Sequence, residues 1–321
     1  MRVVITGAAG NLGSVVWAVL AEAGMEVVAT DRKPLVVDES GVAPADQSTA
    51  DGRSEPPIRP GALHLLDLRD PDPWPNFLAG AHAVVHCGAE PRDPAVPKDA
   101  LFASNVKGTL NLCQAALSTG VERFVYVSTV QVFSSEGVPE DRPTEIPYLP
   151  MDGGFCQNPQ NPYAVSKAVG EVLVQSILSP EGVKCQSLRF PWLVHPTRTG
   201  SWGRQLRPLR KREIRAVVEQ GFACLSFRDA ARLILACLRS DLPGYRTYYP
   251  ALSVVSKEMI CRYVDRYYAG VPLRRPVTEM TSLVDLSEIT AETGWVPRDI
   301  PRVESTRRLR RFLGRIARRL R

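Results

Sequence analysis

The 321-residue chain reads as an α/β protein built on a doubly wound parallel sheet, with a smaller lobe toward its C-terminal end. Two observations carry that reading. Short apolar runs alternate with helical patterns through residues 1–190, the sequence form of repeated strand–helix–strand units. The runs are continuously apolar rather than alternating, as strands covered by helices on both faces require. With 44% hydrophobic and 23% charged residues the composition lies at the globular average, so a disordered chain, a collagen and a disulfide miniprotein are excluded.

The elements follow in order. Val3-Val4-Ile5 form the heart of a first strand at 2–6, and a helical pattern at 11–23 begins directly after a glycine cluster. Strands follow at 26–30 and 62–66, separated by residues 33–60, where Pro34, Pro44, Pro56, Pro57 and Pro60 mix with Gly, Ser, Asp and Glu. No apolar period survives there, which predicts a long, mobile surface loop. Further strands fall at 83–87, 123–128 and 184–189, with helices at 99–118 and 162–179 between them. Residues 1–190 thus make the sheet domain. Beyond them the pattern breaks into shorter pieces, with helices near 227–239, 256–268 and 285–293, which fits a lobe over 191–297 interleaved with the sheet domain and facing its cleft.

Net charge is +6, but residues 298–321 hold ten arginines against Asp299 and Glu304, so the rest of the chain sums to −2. A nucleic-acid-binding body is not expected from that distribution. Within the tail, Leu309, Phe312, Leu313, Ile316 and Leu320 recur at helical spacing, predicting an amphipathic helix with arginines on its polar face. It either docks onto the body or makes a peripheral contact with an acidic partner or a membrane. Met1 and Arg2 run straight into the first strand, which leaves no room for a cleavable signal, and no apolar stretch reaches the roughly 18 residues of a membrane span. A soluble, cytoplasmic protein is expected. The seven cysteines form no Cys-x-x-Cys pair and mostly lie in apolar runs, so buried free thiols are expected.

Thr6-Gly7-Ala8-Ala9-Gly10-Asn11-Leu12-Gly13 follows the first strand and opens the first helix. Its glycines stand where backbone must approach a pyrophosphate at the positive end of a helix, and a side chain there would obstruct the approach. Asp31 closes the second strand, placed to accept hydrogen bonds from both ribose hydroxyls of an adenosine and to repel the 2′-phosphate of NADP. NAD is therefore the expected cofactor, with Arg32 and Lys33 as the cations that would admit NADP instead. Asp67-Leu68, at the end of the third strand, either brackets an adenine or forms a strand-end turn. After His86, the small residues Cys87-Gly88-Ala89 let backbone pass beneath a cofactor, and the four histidines lack metal-ligand spacing, so no metal is expected.

Tyr163 and Lys167 lie four residues apart after the helix-starting Asn161-Pro162, hence on one face of one helix. A tyrosine with an ordinary pKa near 10 needs about 4 kcal/mol of preferential phenolate stabilisation to act as a base at neutral pH, and Lys167 together with an oxidised nicotinamide ring could supply it. With these residues in place, the chain resembles the extended short-chain dehydrogenase/reductases, the NAD-dependent epimerase/dehydratase family. The resemblance rests on the glycine loop at 7–13, Asp31, Asp67-Leu68, His86 to Ala89, Asn105 to Thr109, Val127 to Phe133, Tyr163 to Lys167, Arg189 to Pro196 and Phe227-Arg228-Asp229, in family order over residues 1–240.

The resemblance implies a Rossmann-type sheet and a homodimer paired through the helices at 99–118 and 162–179. It implies cofactor contacts at Gly7, Gly10, Asn11, Leu12, Gly13, Asp31, Arg32, Asp67, Leu68, Cys87, Gly88, Ala89, Tyr163, Lys167 and Phe190. It also implies that Tyr163 takes the hydroxyl proton of a secondary alcohol whose carbon-bound hydrogen leaves as hydride. Lys167 would hold the nicotinamide ribose and tune Tyr163, Thr129 would hydrogen-bond the substrate oxygen, and Asn105 would either support a water relay behind the lysine or pack inside its helix.

Three outcomes share that first oxidation. Sugar 4,6-dehydration needs an acid and a base beside Thr129, and Val130 and Gln131 can exchange no proton near neutral pH, which argues against a dehydratase. A sugar-nucleotide epimerase is the leading expectation, with the arginines and lysine between Arg198 and Arg215 as a cationic rim for a diphosphate or carboxylate. Only 39 residues separate Arg189 from Asp229, and that compact stretch resembles uronate dehydrogenases, so an NAD-dependent dehydrogenase of a free sugar or uronic acid is the alternative. A non-catalytic NAD-binding regulatory protein is the third.

Overall fold

The computed structural model describes residues 1–34, 63–91, 93, 95–133, 146–194, 218–255 and 257–299. The expected 33–60 loop past Pro34, the arginine-rich stretch at 198–215 and the C-terminal helix from residue 300 onward lie outside the described residues.

In chain order the sheet domain contains β1 (Arg2–Thr6), α1 (Asn11–Glu22), β2 (Glu26–Asp31), β3 (Leu63–Leu65), α2 (Trp74–Leu78) and β4 (Ala83–His86). There follow α3 (Lys98–Phe102), which passes through a π-helical turn at Ala103–Lys107 into α4 (Gly108–Ser118), then β5 (Arg123–Thr129), α5 (Pro162–Leu173) and β6 (Lys184–Phe190). The remaining elements are β7 (Trp192–Val194), β8 (Ala223–Ser226), α6 (Phe227–Arg239), β9 (Tyr245–Tyr248), β10 (Leu252–Ser253), α7 (Ile260–Tyr267) and α8 (Ser287–Thr293).

Seven strands form one sheet in the order β3-β2-β1-β4-β5-β6-β9, parallel at every pairing. Because β2 and β4 lie on opposite sides of β1, the chain leaves the centre in both directions, and a crevice opens at the carboxyl ends of these strands. Side chains alternate across β1: Val3 and Ile5 join an apolar cluster with Leu20 of α1 and Ile234 of α6, whereas Val4 joins a second cluster with Leu112 of α4 and Phe124 of β5. Both faces are therefore covered, which is why the strands read as unbroken apolar runs.

The structure departs from the sequence expectation after residue 190. Six strands were expected in the sheet and there are seven, because β9, Tyr-Arg-Thr-Tyr, is too short and too polar to register as an apolar run. The stretch from Phe227 to Tyr248 returns to the sheet domain, with α6 packed in the same cluster as α1. What stands apart is a three-stranded sheet, β10-β8-β7, beside a third apolar cluster that includes Met151, Tyr249, Ile260 and Leu283. Cys113, Cys185, Cys224 and Cys237 are buried thiols and Cys87 is half-buried, but Cys156 and Cys261 are exposed, contrary to the expectation for the set. No helix among the described residues is long and apolar enough to cross a membrane.

Candidate active site

The turn between β1 and α1 is shaped by glycine for two separate reasons. Gly7 has φ +71°, and a Cβ there would lie 2.6 Å from the Gly88 Cα; one at Gly13 would lie 2.0 Å from the Gly7 carbonyl oxygen. Those two glycines are required by the protein's own close packing. Gly10 differs. It lines the groove, and a Cβ on it would meet only the Gly7 oxygen, at 3.2 Å. No side chain caps α1 at Gly10, so amides of its first turn, at Asn11, Leu12 and Gly13, are left for an anion. Asn11 is exposed and Leu12 half-buried against the core.

The groove runs across the carboxyl ends of β1, β2, β3 and β4, with a cavity volume of about 120 Å³. Asp31, on its wall, holds the glycine turn: one carboxylate oxygen accepts from the Ala9 amide at 3.0 Å and the other from the Lys33 amide at 3.0 Å. Arg32 turns its guanidinium to Glu90, next to the groove-lining Ala89, in an ion pair. The Asp67 carboxylate is met by Arg69, whose side-chain hydrogen bonds hold it below the usual carboxylate range. Leu68 closes against Gly88 and Gly108, where a Cβ would approach its side chain to 2.8 and 2.7 Å. Phe190 is buried in the core cluster that contains Val125 and Leu225.

Two features test whether a dinucleotide suits this groove. The Thr30 hydroxyl oxygen lies on its wall, buried, with no protein hydrogen-bond partner among the described residues. The glycine cradle presents backbone donors rather than side chains at the positive end of α1. Both fit a cofactor bearing ribose hydroxyls and a pyrophosphate.

Beneath the groove His86 is fully buried, and burial pushes its pKa down to about 3, so the ring is neutral. Its tautomer follows from its neighbours. The Thr109 hydroxyl donates to the Asn105 carbonyl at 2.6 Å, so it accepts from His86 Nε2 at 2.9 Å. His86 Nδ1 is then the acceptor for Thr6 Oγ1 at 2.7 Å, and Thr6 in turn accepts from the Gly88 amide at 3.2 Å. This directed chain ties β1, β4 and α4 together under the groove. Among the described residues no His/Cys/Asp/Glu group could hold a metal ion.

Thr129, Tyr163 and Lys167 come from the end of β5 and the first two turns of α5. The helix start is locally specified: Asn161 caps it by accepting from the Ala164 amide at 2.9 Å, Pro162 occupies the first turn, and Asn161 also donates to the Gln131 side chain at 3.1 Å. Thr129 is buried and accepts from the Gln131 amide at 3.3 Å, which leaves its hydroxyl hydrogen to donate elsewhere. Tyr163 is half-buried. Lys167 is 2% exposed, with Nζ 4.2 Å from the centre of the Tyr126 ring. Burial lowers its ammonium to about 7, against an upward pull from Cys87 and Glu171. Burial pushes the neighbouring Cys87 thiol up to about 12.

Asn105 lies in the π-helical turn, and its amide is committed to protein. The Glu90 amide donates to its oxygen at 2.6 Å, and its two amide hydrogens go to the Glu90 carbonyl and the Ser166 hydroxyl, each at 3.0 Å. With both hydrogens taken, it clamps the 88–90 turn to α5 rather than offering a donor to a water relay. Val130 is buried in the third apolar cluster and Gln131 is tied to Asn161, so neither is arranged as an acid or base.

Sequence reasoning missed Glu90 and Glu171. Glu171 pairs with Arg189 at 2.7 Å, both almost wholly buried, and also accepts from Ser128 at 2.5 Å and Gln157 at 2.7 Å. Arg189 donates onward to the carbonyls of Gly153 and Phe155. Position four after Lys167, on the same helical face, was the available signal.

A model of the NAD dependent epimerase/dehydratase family matches residues 3–242. An NAD-dependent glucose-6-phosphate dehydrogenase of Haloferax volcanii is 26% identical over 246 residues, 74% of this chain and 80% of that protein. A UDP-glucose 4-epimerase of Rhizobium meliloti is 28% identical over 197 residues, 59% of this chain and 51% of that protein. A dTDP-glucose 4,6-dehydratase from Streptomyces venezuelae, solved with NAD bound, superposes with a TM-score of 0.60 at 22% identity, over 99% of this chain and 96% of that one, a likeness of fold.

Proposed function

The chain belongs to the NAD dependent epimerase/dehydratase family, and from that premise we propose that it is a sugar dehydrogenase, oxidising a secondary alcohol or hemiacetal carbon of a sugar that carries no nucleotide. Bound NAD supplies the acceptor for a hydride. Tyr163 Oη takes the proton of the reacting hydroxyl, while the free hydrogen of Thr129 holds the same oxygen in place. Lys167 carries a charge that its burial disfavours, so a phenolate one turn earlier in α5 is a partner that offsets the penalty. The two groups thereby favour each other's charged forms. Gly7, Gly10, Gly13 and the first-turn amides of α1 take the pyrophosphate, Asp31 the adenosine ribose, and Leu68 and Cys87 to Ala89 the walls around it.

The observation that carries the choice of dehydrogenase is the extent of the match. The glucose-6-phosphate dehydrogenase is matched along 80% of its length and the epimerase along 51% of its own, so the sequence likeness to the former extends over more of that protein. Sugar-nucleotide epimerisation is the second reading, supported by the 28% identity to that epimerase. Following the absorbance of reduced nicotinamide separates them. With aldoses, sugar phosphates and uronates, a dehydrogenase accumulates reduced cofactor in step with substrate consumed. Inversion of a nucleotide sugar with no net accumulation would replace this proposal by the epimerase.

A further inference from the structure

A cation lining the groove beside Asp31 is already engaged. Arg32 follows Asp31 directly, lines the groove, and pairs with Glu90 in the turn after β4, where the Glu90 side chain is only 10% exposed. Glu90 cannot drift outward to release it. Its amide and carbonyl are both held by the Asn105 side chain, so the carboxylate is presented from a fixed backbone. A carboxylate this buried is strongly disfavoured without a partner, which keeps the guanidinium at its side.

We propose that Glu90 is a determinant of NAD over NADP selectivity, acting at a distance by holding Arg32 away from the position of a 2′-phosphate. An arginine just past the acidic residue of β2 is the group that accommodates such a phosphate when it is free to turn. Asp31 repels the phosphate, and Glu90 withholds the compensating cation. The selectivity thus rests on two acids, one at the end of β2 and one in the turn after β4, rather than on one. Lys33 is exposed and is not held in any such ion pair among the described residues. The proposal rests on the cofactor reading and extends it.

Direct titration of the full-length protein with NAD and with NADP, by calorimetry or by quenching of tryptophan fluorescence, tests it without any substrate. Glu90→Gln keeps the size of the side chain and the backbone held by Asn105, and frees Arg32. The dissociation constant for NADP should fall about tenfold or more relative to that for NAD, the worth of one charge-assisted hydrogen bond. Arg32→Gln, which breaks the same pair at its exposed end, should give no such gain, and Glu90→Gln combined with Arg32→Gln should lose it. An unchanged NADP-to-NAD ratio in Glu90→Gln overturns the proposal, as does a gain that survives in the double variant. A parent protein that binds neither dinucleotide overturns the cofactor reading as well, so the two failures are distinguishable.

Discussion

Replacing Glu171 by alanine should be among the most damaging single changes in the protein. The side chain accepts hydrogen bonds from Ser128, Gln157 and Arg189, and the arginine it leaves behind is 4% exposed. Arg189 keeps its bonds to the Gly153 and Phe155 carbonyls, so the group is still solvated on one side by protein dipoles, but its charge is uncompensated. Breaking a buried pair from one side costs about 3–5 kcal/mol. For a chain of this size each kcal/mol lowers the melting temperature by roughly 2 °C, giving a fall of about 6–10 °C by calorimetry or circular dichroism. Glu171→Gln retains acceptors for Ser128 and part of the arginine fork and should fall by less. Glu171→Leu combined with Arg189→Met should be more stable than Glu171→Ala, because no unpaired charge remains. A Glu171→Ala protein that melts with the parent would refute the burial argument, and with it the account of how α5 is fixed to β5 and β6.

Tyr163→Phe should lower turnover about 10²–10⁴-fold, the usual worth of a positioned general base, with NAD affinity retained by calorimetry; undiminished turnover would remove Tyr163 from the chemistry. Gly13→Ala places a Cβ 2.0 Å from the Gly7 oxygen, so the turn must shift, and both the melting temperature and NAD binding should drop. Lys167 has a folded-state pKa lowered from 10.5 to about 7, so the unfolded chain binds more protons between those values. The burden on stability is full below about 7 and is relieved as pH rises toward 10.5. Without cofactor, Lys167→Met should therefore melt above the parent near pH 7, with the gap closing in alkali, while NAD-dependent turnover is lost; a gap independent of pH would contradict the buried charge.

The sheet was legible where residues speak for themselves. Val3-Val4-Ile5 and Ala83-Val84-Val85 are apolar on both alternating sets because helices cover both faces, and the glycine turn after β1 announces a strand-to-helix junction. β9 was not legible, since four residues with arginine and threonine among them carry no period and take their place only by pairing with β6. At the candidate site, order and helical spacing singled out Thr129, Tyr163 and Lys167, which lie at the end of β5 and in the first two turns of α5. Glu90 was not legible. Its partners Arg32 and Asn105 lie outside its own turn, and an ion pair between separate segments leaves no local pattern. Asn105 itself was readable as a position but not as a clamp, because its role depends on which amide hydrogens the fold consumes.

The directed chain through His86 has a physiological corollary. A lone imidazole would ordinarily respond to acidification near its usual pKa of about 6.5. Here the ring gives up one hydrogen and receives another within a closed relay of hydroxyls, and it resists protonation down to about 3. The floor of the groove therefore behaves as an electrically silent strut through the range in which a free imidazole would titrate.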